Sequence, residues 1–156
     1  MSTASIERIA GIMRGEIEPP PIAKLLGFEI TGVEPGQVVM QMRAGPEHAN
    51  PMGTLHGGVF CDLADAAMGL AYATTLADGE TFATLEIKIN LLRPVWTATL
   101  TADGRVVQGG KSVGLTECDI TDERGRLVAR ASSTCMTLRG EQAEGRQSAY
   151  DTAAGA

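Results

Sequence analysis

Residues 50–76, NPMGTLHGGVFCDLADAAMGLAYATTL, set two adjacent glycines, a histidine and two aspartates inside one of the most apolar runs of the chain. From Gly58 onward, Val59, Phe60, Leu63, Ala64, Ala67, Met68 and Ala71 recur at the i, i+3, i+4, i+7 spacing of a single helix face. The pattern predicts a long helix that begins at the glycine pair and stops at ADGE, residues 77–80. Its opposite side, Asp62, Asp65, Ala66, Gly69 and Tyr72, is mostly small, so another backbone can come close to it. Asp65 lies two turns inside this helix, where an unpaired carboxylate is costly to bury. Either it is a solvated or salt-bridged structural aspartate, or desolvation raises its pKa towards that of a general base. Asp62, one turn earlier, is expected to cap or to face solvent.

On both sides of the helix the period changes. In GQVVMQMRA, residues 36–44, Val38, Met40 and Met42 alternate with Val39, Gln41 and Arg43, as in a strand with one buried face. Four further strand-like runs follow the helix, at residues 82–95, 97–110, 112–125 and 126–138, punctuated by Pro94, GGK and DERG. The first is expected to pack Ala83, Leu85, Ile87, Ile89 and Leu91 inward and to leave Thr84, Glu86, Lys88 and Asn90 on a polar face. One long helix with at least five antiparallel strands defines an α+β domain whose sheet wraps the helix. Ahead of it, Ile6, Ile9, Ile12 and Met13 predict an amphipathic lead-in helix up to the Pro19–Pro21 block, then PIAKLL forms a short turn ending at Gly27. The chain thus divides into a helical lead-in at 1–20, a single domain at 21–138 and a tail at 139–156. That tail has almost no large apolar side chains and is expected to be mobile.

The whole chain sets limits on partners. Its 156 residues suit one core, and 44% hydrophobic with 21% charged residues is ordinary globular composition. A net charge of -6 gives a long-range field of the wrong sign for a phosphate backbone or anionic lipid, so neither nucleic acid nor a membrane surface is an expected partner. Cys61, Cys118 and Cys135, an odd number with no C-x-x-C pair, read as free buried thiols in a reducing cytoplasm. The N-terminal residues have no continuous apolar export segment.

Gly57 and Gly58 open the long helix, where backbone N–H groups lack intrahelical partners and the macrodipole is positive. Such a terminus holds an oxyanion, and glycine lets a carbonyl approach the backbone; equally, two glycines can simply make a tight turn. Gly57 and Asp65 are eight residues apart, which is roughly 12 Å along one helix. If both act on one reacting centre, each must come within about 3 Å of it, and two different chains must donate them. A shared site therefore implies a two-fold homodimer.

The run N-P-M-G-T-L-H-G-G-V-F-C-D-L-A-D, with the later strand end L-L-R-P-V, resembles the hot-dog-fold acyl-CoA thioesterases of the phenylacetate-degradation and 4-hydroxybenzoyl-CoA type. The resemblance spans residues 21–138. It implies an antiparallel sheet wrapped around a long central helix, an acyl-CoA substrate, no metal and no cofactor beyond the coenzyme A of the substrate. In that pattern the Gly57 N–H and the Asn50 side chain polarise the thioester carbonyl, while Asp65 of the partner chain activates water or attacks directly. Thr84 orients the water or the carboxylate; some relatives place a Thr one turn after the acid, where this chain has Gly69. His56 fixes the loop or takes a direct catalytic part, Gly58 contributes to substrate binding, and Arg93, Lys111 and Arg126 are candidates for the coenzyme A phosphates. The acyl group is expected to be small aryl, arylacetyl or medium-chain, and the homodimer to associate further as a dimer of dimers.

Other motifs fail on spacing. QGGKS at 108–112 lacks the first glycine of a phosphate-binding loop, since position 105 is Arg105. With His48 and His56 alone, and neither C-x-x-C nor H-E-x-x-H, no zinc site is expected. No G-x-S-x-G elbow is present. Two rival readings of the same fold are an enoyl-thioester hydratase or dehydratase, which pairs a catalytic His with the acid, and a non-catalytic acyl-CoA-binding protein.

Overall fold

The computed structural model describes residues 3–145. In chain order the elements are α1 (Thr3–Met13), α2 (Pro21–Leu26), β1 (Phe28–Glu34), β2 (Gln37–Ala44), α3 (Gly57–Ala73), β3 (Thr81–Leu91), β4 (Ala98–Gly109), β5 (Val113–Thr121) and β6 (Leu127–Leu138). The six strands form one sheet in the order β1-β2-β4-β5-β6-β3, every neighbouring pair antiparallel. The fold is therefore the α+β hot-dog arrangement, with α3 as the helix that the sheet wraps.

Apolar burial on α3 fixes this packing. Phe60, Leu63, Ala64, Ala67, Met68 and Ala71 are buried, and they form one core with Val38, Met40 and Met42 of β2, Leu100 and Ala102 of β4, and Ile120 of β5. Burying a side chain such as Leu63 contributes about 1.5–3 kcal/mol relative to exposure. The helix rests directly on β4 at Gly104, where an added Cβ would lie 2.4 Å from the carbonyl carbon of Ala67. Only glycine leaves room there, because the obstruction is backbone and cannot swing aside.

Strand β1 is absent from the sequence reading, and a bulge explains why. Its register with β2 shifts between Ile30 and Gly32, so Phe28 and Ile30 face the core before the shift and Val33 after it. The two-residue period breaks, and no alternation over 28–34 reveals the strand. A second bulge corrects the reading of β3. Thr84 pairs with Cys135 and Glu86 with Thr134, leaving Leu85 as the extra residue, 53% exposed. Phe82 and Thr84 before the bulge therefore share the helix-facing side with Ile87 and Ile89 after it. Thr84 does not belong to the outward row of Glu86, Lys88 and Asn90.

The three cysteines are free, with Cys118 and Cys135 buried and Cys61 only partly so, where the sequence reading expects all three inside. Residues 140–142 of the tail form a short 3-10 turn; from 146 onward the tail expected to be mobile lies outside the described residues. Among the described residues no helix is long and apolar enough to cross a membrane.

Candidate active site

Asp65 projects from the third turn of α3, half-buried, and its Oδ1 accepts a hydrogen bond of 3.0 Å from the Thr84 hydroxyl. The β3 bulge makes this contact possible. Both residues line a cavity of about 490 Å³ whose remaining wall is largely apolar: Phe28, Ile30 and Met40 from the sheet, Leu70 and Phe82 beside the acid, and Ile12, Met13, Pro20 and Ile22 from the N-terminal segment. Gly69 admits the Phe82 ring, whose Cζ lies 3.0 Å from where a Cβ would stand. Burial pushes the Asp65 carboxyl above its ordinary value, the Thr84 hydrogen bond opposes that rise, and the charge of Asp62 adds to it. Asp62 is exposed, as expected, yet lines the same cavity.

The first turn of α3 is built differently. His56 is the N-cap, its Nδ1 accepting from the Gly58 N–H at 2.9 Å. The Gly58 N–H is thereby occupied, and the geometry makes His56 a capping group. The Gly57 N–H, in contrast, has no hydrogen-bond partner among the described residues. Asn50 ties the preceding loop together: its Oδ1 accepts from the N–H groups of Met52 at 2.9 Å and Thr54 at 3.2 Å, and its Nδ2 donates to the Thr54 hydroxyl at 2.9 Å. One Nδ2 hydrogen remains beyond these bonds. Asn50 and Gly57 line a second cavity, of about 260 Å³, with Thr54, Leu91 and Arg93.

The proposed groups thus fall into two clusters. Asp65 with Thr84, and Asn50 with Gly57, line cavities that share no residue. Of the basic candidates, Arg93 borders the Asn50 cavity. Arg126 is bound to Asp122, Nε to Oδ2 at 2.7 Å, beside a neighbouring cavity that Arg93 also borders. Lys111 precedes β5 while Arg126 follows it, so a strand of nine residues separates them, roughly 30 Å. Lys111 therefore joins neither cluster. Among the described residues no group of three or more His, Cys, Asp or Glu side chains could hold a metal ion. Phe82, which lines the Asp65 cavity, escaped the sequence reading because the bulge conceals which side of β3 it faces.

The arrangement combines a desolvated carboxylate with a free helix-terminal N–H, which suits attack on a carbonyl carbon. Comparison with known proteins agrees: the family model described as Thioesterase superfamily matches residues 52–129. A 1,4-dihydroxy-2-naphthoyl-CoA hydrolase of Listeria monocytogenes is 33% identical over 113 residues, covering 72% of this chain and 92% of the relative. The acyl-coenzyme A thioesterase PaaI of Escherichia coli is 32% identical over 108 residues, covering 69% and 75%. The solved structure of the E. coli PaaI protein, from the phenylacetic acid degradation operon, superposes with a TM-score of 0.77 at 27% identity, covering 88% of this chain and 96% of that one. The chain belongs to the thioesterase superfamily and is a thioester hydrolase of the hot-dog fold.

Proposed function

We propose that the protein hydrolyses an acyl-CoA thioester to the free acid and coenzyme A at a site shared between two copies of the chain. The observation that carries this reading is Asp65, half-buried and bound to Thr84, in a cavity whose walls are largely apolar. Asp65 of one chain takes a proton from water, whose oxygen attacks the thioester carbonyl carbon. The Gly57 N–H and Asn50 Nδ2 of the other chain hold the oxygen as it becomes negative, and collapse expels the coenzyme A thiolate. Thr84 keeps Oδ1 occupied and leaves Oδ2 for the water. Because the two clusters line separate cavities within one chain, this reading has them converge across a two-fold interface. β3 supports such pairing, since it is an eleven-residue edge strand carrying exposed Leu85 and Leu91 and an open edge is a template for another strand.

The cavity also narrows the acyl group. No Lys, Arg or His lines it, and its carboxylates are Glu29, Asp62 and Asp65, so an acyl group that itself carries a negative charge is repelled. At about 490 Å³ it falls within the usual range of small-molecule sites. An uncharged arylacetyl or medium-chain acyl group fits these walls. A hydratase reading needs a histidine paired with the acid; here the group bound to Asp65 is the Thr84 hydroxyl, while His56 Nδ1 caps α3 and His48 Nδ1 accepts from the Gly45 N–H at 3.2 Å.

The test is thiol release from a panel of acyl-CoA thioesters: phenylacetyl, benzoyl, hexanoyl, octanoyl and succinyl. Turnover of the uncharged members with succinyl-CoA inert is the expected result. Release from none, with the thioesters binding unchanged, would leave an acyl-CoA-binding protein without hydrolysis.

A further inference from the structure

Trp96 is the only tryptophan in the chain, and it stands 60% exposed in the loop between β3 and β4. Its indole stacks on no other ring: among the described residues the one aromatic pair is Tyr72 with Phe82. It borders a surface cavity of about 380 Å³ together with Arg93, Arg126, Asp122 and Glu123. That cavity shares Leu92, Arg93, Pro94 and Val95 with the one lined by Asn50 and Gly57. A continuous concave path therefore leads from the free N–H of α3 to the indole face.

Charge along the path is already arranged. Glu123 accepts from the Thr99 N–H at 3.1 Å, and Asp122 holds Arg126 in place through the 2.7 Å bond to Nε. Arg93 has no carboxylate partner among the described residues. An open π face beside one free and one oriented guanidinium is the donor set that a purine nucleotide requires, since the base stacks and the phosphates take the charge-assisted hydrogen bonds.

We infer that Trp96, Arg93 and Arg126 form the binding patch for the nucleotide end of coenzyme A, with the adenine on Trp96 and the phosphates at the two arginines. The inference rests on the acyl-CoA hydrolase reading: the thioester carbonyl lies at Gly57 and the pantetheine arm follows Leu92 to Val95.

Intrinsic tryptophan emission, which here comes from Trp96 alone, tests it on the unaltered protein. Coenzyme A should change the emission saturably, and pantetheine, which lacks the nucleotide, should not at ten times the concentration. In parallel, Trp96→Leu should raise KM for an acyl-CoA by about fivefold or more, the lower end of base-on-aromatic stacking, with kcat kept. The same acyl group on N-acetylcysteamine should show an unchanged KM, which also certifies the variant's fold. Emission that ignores coenzyme A at concentrations saturating hydrolysis would overturn the patch and leave the hydrolase standing. A saturable response to coenzyme A in a protein that hydrolyses none of the panel would support the patch and remove the hydrolase. A KM raised equally for both thioesters would also overturn the patch.

Discussion

The first and third turns of α3 solve opposite problems. At the first turn the working group is backbone: the Gly57 N–H cannot titrate, and its surroundings are assembled within residues 50–58 by Asn50 and His56. At the third turn the working group is the Asp65 carboxyl, whose character depends on burial and on Thr84, nineteen residues away on another element. In the proposed mechanism the first is a preformed electrostatic site and the second a tuned acid. In the proposed site the two meet only at the substrate, each supplied by a different chain.

Removing the acid is expected to have the largest effect. Asp65→Asn should lower kcat by about 1,000-fold, within the range of general-base catalysis, without loss of fold. Its stability should move the other way. Burial first, then the charge of Asp62, hold the Asp65 carboxyl above its ordinary 3.8 against the opposing Thr84 bond, so the folded chain binds this proton more tightly than the unfolded chain. Ionisation therefore destabilises the fold: the loss is absent below 3.8 and complete once the pH has risen through the folded-state value. Thermal melts should find Asp65→Asn more stable than the parent at pH 7, with the gain disappearing in acid.

Next comes the preformed site. Asn50→Asp keeps the oxygen that accepts from Met52 and Thr54 but replaces the donor with a negative oxygen. Steady-state kinetics should show kcat down by about 100-fold or more, as for loss of an oxyanion donor, with the acid limb moved to higher pH because a second carboxylate then faces Asp65 across the shared site. Thr84→Ala should cost less, about tenfold in kcat, the scale of one hydrogen bond to a charged group. It should also shift the acid limb of the kcat profile to higher pH, because the bond removed is the one holding the Asp65 carboxyl down. An unshifted limb would separate Thr84 from Asp65. Arg93→Ala should be mildest, raising KM for an acyl-CoA severalfold, reducing its dependence on salt and leaving kcat alone.

The same contrast decides what was legible in the sequence. The helix from Gly57 and the loop from Asn50 could be read because their spacing and hydrogen bonds are local. Asp65 stood out as a carboxylate on a small-residue face. The partner of Asp65 could be named only from resemblance, since alternation places Thr84 outward with Glu86 and Lys88 until the extra residue Leu85 reverses the sides. Strand β1 was hidden by the same device at Ile30 and Gly32. Lys111 and Arg126 read alike as turn cations, and only the strand register puts them at opposite ends of β5. The cavity between the N-terminal segment and the sheet joins residues as distant as Ile12 and Thr84, which no local pattern encodes.

Complementation between two inactive variants tests the shared site most directly. Chains carrying Asp65→Asn and chains carrying Asn50→Asp, each inactive alone, are unfolded together and refolded as an equal mixture, and thiol release is measured. Random pairing makes half of the dimers mixed, each with one intact site, so about a quarter of the parental activity should return. Mixed dimers demonstrated by mass yet without activity would contradict the assignment of Asp65 and Asn50 to one site across two chains.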